Sequence, residues 1–313
     1  MNKKVSILSI LIIAILSTSF STAVLAASDD PLTVYSTRKE HLIKPLFDAF
    51  TNKTGIEVRY LTGKGGALIE RIKLEGKRTK ADMFMTVDAG NLWYAASQNL
   101  FQPVESEVLV NNIPSHLRDP EGLWTGLSVR ARTIIYSTDR VNPEELSTYQ
   151  DLANSKWKGR LCLRTSKKVY SKSLVASLIH HDGVENTSEV VKGWVRNLAA
   201  TPHAEDNYVM SAILAGQCDV GIVNSYYFGR LQTREPNVAL KLFWANQDST
   251  GTHVNISGAG VTRYSKNPEN SLKLLEFLSS IEAQKIYVEL NKEYPASQKI
   301  KADNLITLWG DFN

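Results

Sequence analysis

The chain has 313 residues, 43% of them hydrophobic, with 36 Lys and Arg against 32 Asp and Glu for a formal net charge of +4. Those values belong to an ordinary globular protein. No basic run is interleaved with aromatics, and no repeat or low-complexity tract appears, so there is no nucleic-acid signature and no solenoid or linker array.

The chain opens Met1-Asn2-Lys3-Lys4, continues through an apolar block over 5–20, and reaches small residues ending Ala23-Val24-Leu25-Ala26-Ala27. This is the pattern of a secretory signal peptide, 1–26, with cleavage after Ala26. The block is short for a membrane span, no cysteine adjoins the cleavage site to carry a lipid, and no later stretch is apolar enough to cross a bilayer. The expectation is an exported mature protein that does not span the membrane. About 287 residues then remain, more than one compact core usually holds, which predicts two lobes.

Strand-like and helix-like segments alternate next: strands at 32–35, 56–61 and 81–87, helices over 41–53, 67–75 and 91–97. This βαβαβα order predicts a largely parallel sheet with helices on both faces. Ligands bind such sheets beyond the carboxyl ends of the strands, here Ser36-Thr37-Arg38-Lys39-Glu40, Thr62-Gly63-Lys64-Gly65-Gly66 and Asp88-Ala89-Gly90-Asn91.

A long extended run at 127–136 suits a crossing between lobes. A strand at 161–164, helices over 171–180, 189–199 and 208–215, and a buried strand at 220–223 follow. A return strand at 253–261 and helices over 271–278 and 283–290 complete the order. The boundaries predicted are a first N-lobe part at 27–128, a C-lobe at 129–252, a return segment at 253–303 and a tail at 304–313. Two α/β lobes joined by two crossing strands describe a hinged clamshell, each lobe a mixed sheet flanked by helices.

Cys162 and Cys218 are the only cysteines. In an oxidising compartment that count suggests one disulfide; two unpaired buried thiols are the alternative. Neither has metal-site spacing.

The strand at 220–223 runs into Asn224-Ser225-Tyr226-Tyr227-Phe228-Gly229-Arg230. Successive residues in a strand point to opposite faces, whereas at the first turn of a helix they lie about 100° apart and can converge on one cleft. A strand-to-helix turn thus makes Tyr226 and Tyr227 usable as a chelate; two half-buried aromatics are the plain alternative. Arg130 and Arg132 share one face of the crossing strand, where either could hold an anion or form an interlobe ion pair.

Val34-Tyr35-Ser36-Thr37-Arg38, Thr86-Val87-Asp88-Ala89-Gly90-Asn91-Leu92 and Gly221-Ile222-Val223-Asn224-Ser225-Tyr226-Tyr227 together carry a resemblance that spans essentially the whole mature chain. It resembles the periplasmic ferric-ion-binding proteins of bacterial iron ABC importers. The resemblance implies the periplasmic-binding-protein clamshell, capture of Fe(III) in the interlobe cleft, delivery to an inner-membrane iron ABC permease, and no turnover. It also implies a periplasmic, monomeric protein. Tyr170, Tyr226 and Tyr227 would be iron ligands, Arg130 would face a carbonate or other synergistic anion, and Arg230 would lie near the phenolates.

The chemistry agrees, because Fe(III) is a hard cation that prefers anionic oxygen donors. The pattern departs at the first strand, where many members carry a His or Tyr and this chain has Lys39 and Glu40, with His41 next. Either Glu40 supplies a carboxylate oxygen or the site uses three tyrosines and an anion, with Lys39 favouring the anion. The second arrangement is the expectation. A clamshell for an oxyanion, polyamine or other small solute, and an exported tyrosinate-iron oxidase, are the alternatives.

Other constellations are weak. Gly63-Lys64-Gly65-Gly66 lacks the phosphate-loop ending, His180-His181-Asp182 lacks i,i+4 metal spacing, and Gly126-Leu127-Ser128-Val129-Arg130 lacks the second glycine of a nucleophile elbow.

Overall fold

The structure, a computed structural model, describes residues 31–313. The expected signal peptide lies outside the described residues. In chain order the elements are β1 (Leu32–Ser36), α1 (Glu40–Thr54), β2 (Val58–Thr62), α2 (Gly65–Glu75), β3 (Met83–Thr86), α3 (Ala89–Ser97) and α4 (Glu107–Asn112). Then come β4 (Thr125–Ser137), β5 (Leu161–Cys162), α5 (Val169–Asn197), α6 (Asp206–Leu214), β6 (Val220–Asn224), α7 (Ser225–Arg234) and β7 (Leu240–Phe243). β8 (Val254–Val261), α8 (Pro268–Ser279), α9 (Ile281–Asn291), β9 (Tyr294–Pro295) and α10 (Asn304–Thr307) complete the order.

The sheet runs β2-β1-β3-β8-β4-β6-β5, with β7 and β9 also on β4. It is mixed. β1 is parallel to β2 and β3 with Val34 opposite Tyr60 and Met83, whereas β8 is antiparallel to both β3 and β4. The parallel sheet expected for the first half is therefore confined to three strands, because the strand returning at β8 enters from the opposite end.

β4 belongs to both halves. Thr125 to Ala131 pair with β8, and Arg132 to Tyr136 pair with β6, so the partner changes between two adjacent residues. Alternation along the strands supplies a core on each face of each half. Val34 and Tyr35 enter different clusters, and so do Ile134 and Ile135 and Ile222 and Val223. Trp157 and Tyr149 fill one C-terminal-half core, Phe47 and Phe50 one N-terminal-half core. Among the described residues no helix is long and apolar enough to cross a membrane.

The two helices read from the sequence at 171–180 and 189–199 are both present: α5 is two helical segments that meet at a kink at Gly183, with φ 81° and ψ 166°. Only glycine takes such a backbone without strain. β7 and the short α4 carry too few patterned residues to be read from sequence.

Cys162 and Cys218 are joined, with Cα atoms 5.9 Å apart. β5 lies parallel to β6 with Cys162 opposite Gly221, which brings Cys218, just before β6, alongside. A bridge across a separation of 56 residues should stabilise the fold by about 4 kcal/mol through the unfolded chain. Cys162→Ala/Cys218→Ala is expected to lose most of that in urea unfolding; a loss under about 1 kcal/mol would show that the constraint does not act through chain entropy.

Candidate metal centre

Tyr226 and Tyr227 open α7 directly after β6. Their ring centroids lie 4.4 Å apart, so the strand-to-helix turn brings both to one place. Asn224 occupies the N-cap position yet makes no side-chain cap. Its amide serves the site instead: Oδ1 accepts from Arg132 Nη1 at 3.1 Å, and Nδ2 donates to the Tyr226 hydroxyl at 3.3 Å. Gly229 lets α7 sit close against the C-terminal segment, since a Cβ there would stand 2.9 Å from Trp309 and 3.0 Å from Lys292.

Tyr170 lies in the first turn of α5. Arg130 connects it to the crossing strand, with its guanidinium carbon 5.5 Å from the Tyr170 ring centroid. Arg130 Nη1 donates to Ser257 Oγ at 3.0 Å. Arg38 Nη2 donates to the same hydroxyl at 2.7 Å and pairs with Glu293 at 2.5 Å. A buried chain of contacts thus runs from the tyrosines to α9's end. Arg230 stands one helical turn beyond Tyr226, with its guanidinium carbon 4.9 Å from that ring; its Nη2 reaches the Asn291 carbonyl at 3.3 Å.

The structure therefore brings together Tyr170, Tyr226, Tyr227, Arg130 and Arg230. Lys39 and Glu40 come from the segment that follows β1. Both are exposed at the start of α1, and Glu40 Oε1 accepts from the Tyr60 hydroxyl at 2.9 Å. No hydrogen bond, ion pair or ring contact among the described residues joins either to the three tyrosines.

Two groups that sequence reasoning did not single out lie at the centre. Asp206, fully buried at the start of α6, accepts from the Asn224 backbone N at 3.1 Å and pairs with Arg132 at 3.3 Å and Arg164 at 3.4 Å. Arg164 also covers the rings of Tyr170 and Tyr227. An acid in a first helical turn reads as an ordinary dipole partner, and Arg164 reads as the polar end of a strand. Neither carries a local signal.

Burial first, then the Tyr170 and Tyr227 phenols, push the Tyr226 pKa well above its usual value, with Arg130 opposing. Burial raises Tyr227 as well, against the Tyr226 contact and Arg164. In the empty protein both phenols keep their protons at neutral pH, since free tyrosine already titrates near ~10. A cation that binds them has to displace those protons, so binding weakens as pH falls. The donor set suits a hard trivalent cation. Among the described residues there is no group of three His, Cys, Asp or Glu side chains that could hold a metal.

His253 lies at the hinge, its Nε2 3.1 Å from Ser173 Oγ. Burial, then Arg132 and Arg130, lower its pKa to about 4. The unfolded chain takes up that proton near ~6.5. The iron-free protein should therefore lose about 3 kcal/mol of stability as pH falls from about 6.5 to about 4. His253→Asn should flatten that part of the profile; parallel profiles for the two proteins would rule out His253 as the source.

Residues 78–310 match the family model described as bacterial extracellular solute-binding protein. Iron uptake protein A1 of Synechocystis is 42% identical over 289 residues, covering 90% of this chain and 80% of that protein. A Trichodesmium protein solved with iron and citrate ligands is 45% identical with a TM-score of 0.84, over 90% of this chain and 92% of that one. The ferric binding protein of Campylobacter jejuni is 35% identical with a TM-score of 0.85, over 90% and 91%. The shared fold is that of the periplasmic binding proteins, and the chain belongs to the family of bacterial extracellular solute-binding proteins.

Proposed function

We propose that this protein captures Fe(III) in the cleft between its lobes through the phenolates of Tyr170, Tyr226 and Tyr227, and delivers it to an inner-membrane ABC permease. The observation that carries this reading is the convergence of three phenols from two helices under three guanidinium groups, Arg130, Arg164 and Arg230. The names of similar proteins, an iron uptake protein and ferric binding proteins, point the same way.

The lobes divide near 128 and 252, shortly before β4 changes partners between Ala131 and Arg132 and just before the chain returns at β8. The protein acts in the periplasm as a monomer and performs no turnover. Three phenolates neutralise the ion, and the remaining coordination positions go to a synergistic anion such as carbonate held on the Arg130 side. Glu40 is engaged with Tyr60, which favours the anion over a carboxylate from the start of α1. Lys39 adds only positive potential.

The test is to load the purified mature protein with Fe(III) in bicarbonate buffer and record its visible spectrum. A phenolate-to-iron charge-transfer band is expected. No band, together with tight binding of an oxyanion or polyamine, would replace iron by that solute. Arg130→Ala should make iron retention depend more steeply on added carbonate or citrate; an anion dependence equal to wild type would remove Arg130 from the anion site.

A further inference from the structure

Each of three arginines approaches the tyrosine cluster from a different segment of the chain, but only Arg164 touches two of the rings. Its guanidinium carbon lies 5.2 Å from the Tyr170 centroid and 5.9 Å from that of Tyr227. Those tyrosines come from α5 and α7, so nothing in their own helices fixes one against the other. Arg164 is 7% exposed, and the segment that carries it is pinned on both sides. Cys162, two residues earlier, is in the disulfide, and the backbone around Arg164 pairs with His203: Thr165 N to His203 O and His203 N to Leu163 O, each 2.8 Å.

The charge on Arg164 is also only partly met. Asp206 is shared with Arg132, at 3.3 Å, and its 3.4 Å approach to Arg164 lacks hydrogen-bond geometry. One carboxylate faces two guanidinium groups, so the pair of arginines keeps a surplus of positive charge beside the phenols. A cation over an aromatic face is attracted by the ring, more strongly when desolvated. Arginine's planar group stacks on aromatic faces, whereas a lysine ammonium is a compact point charge with no such face.

We infer that Arg164 is a positioning residue of the tyrosine centre: held by Asp206, it fixes Tyr170 and Tyr227 against each other and stabilises electron density on their phenolates when Fe(III) is bound. This rests on the ferric reading above. A positive charge beside a phenolate lowers the energy of its filled orbitals, which moves a phenolate-to-iron band to shorter wavelength. Removing that charge moves it back.

The experiment compares wild type with Arg164→Gln and Arg164→Lys, each loaded with Fe(III) in bicarbonate, for band position and for the rate of iron release to citrate. All donor oxygens remain, so the Gln variant should keep the band, displaced to longer wavelength, and release iron about tenfold faster, the loss typical of an outer partner of a metal ligand. The Lys variant keeps the charge without the planar face and should shift less. If the Gln variant does not fold, the Lys variant carries the test through its own smaller shift and faster release. A Gln band at the wild-type wavelength, or equal shifts for Gln and Lys, would overturn the inference. A wild type without any band would instead overturn the ferric reading.

Discussion

Tyr226→Phe/Tyr227→Phe should fold normally and lose most of the visible band of the iron-loaded protein, with iron retention down by well over a hundredfold. Each change keeps the ring and its packing and removes one donor oxygen. Outer partners of metal ligands cost 10 to 100-fold when removed, on the order of magnitude that sets a floor for the ligands themselves. Folding should survive because the hydroxyls contribute little: the Tyr226 hydroxyl accepts a 3.3 Å bond from Asn224, and loss of one such bond costs about 1 kcal/mol. Stability of the iron-free double variant within about 2 kcal/mol of wild type, by urea unfolding, would separate ligand loss from misfolding. An intact band in the folded variant would remove both residues from the metal.

Asp206→Ala should be among the most damaging single substitutions in the chain. Asp206 is fully buried, offsets the charge of two guanidinium groups that are themselves nearly buried, and accepts the backbone N of Asn224. Without it Arg132 and Arg164 lie uncompensated in the interior, a change that costs about 3 to 5 kcal/mol. Asp206→Asn keeps an acceptor for Asn224 and should cost less. Unfolding of the iron-free proteins in urea reads the difference as a lower midpoint at unchanged slope. A loss below about 1 kcal/mol for the Ala variant would mean that water reaches the pair and screens it. Because Asp206, Arg132 and Arg164 are in contact, their effects should not add, and an Asp206→Ala/Arg164→Gln double variant should be less damaged than the two losses summed.

The two substitutions act on different levels of one structure. Tyr226 and Tyr227 would hold the cargo, and their geometry follows from a turn between β6 and α7. Asp206 holds that turn by its backbone, at Asn224 N. It also holds Arg132 at the point where β4 passes from β8 to β6. The hinge and the tyrosine pair are therefore secured by the same carboxylate, which explains why a residue outside the cleft chemistry should matter for both stability and retention.

What the sequence determined by itself was local or repetitive. The alternation of strands and helices, the long crossing strand and the tyrosine pair at a strand-to-helix turn all follow from periodicity and from residue type within a few positions. The helix expected over 41–53 is α1 at Glu40–Thr54, and the strand at 220–223 is β6 with one more residue. Tertiary structure decided which distant residues meet. Pairing across the sheet placed Cys162 beside Cys218, Arg130 over Tyr170 and Arg164 over Tyr170 and Tyr227. It also turned Glu40 toward Tyr60. Such contacts depend on strand order and register, which the one-dimensional pattern leaves open, and a lone buried Asp or Arg carries no periodic signal of the partner that makes its burial tolerable.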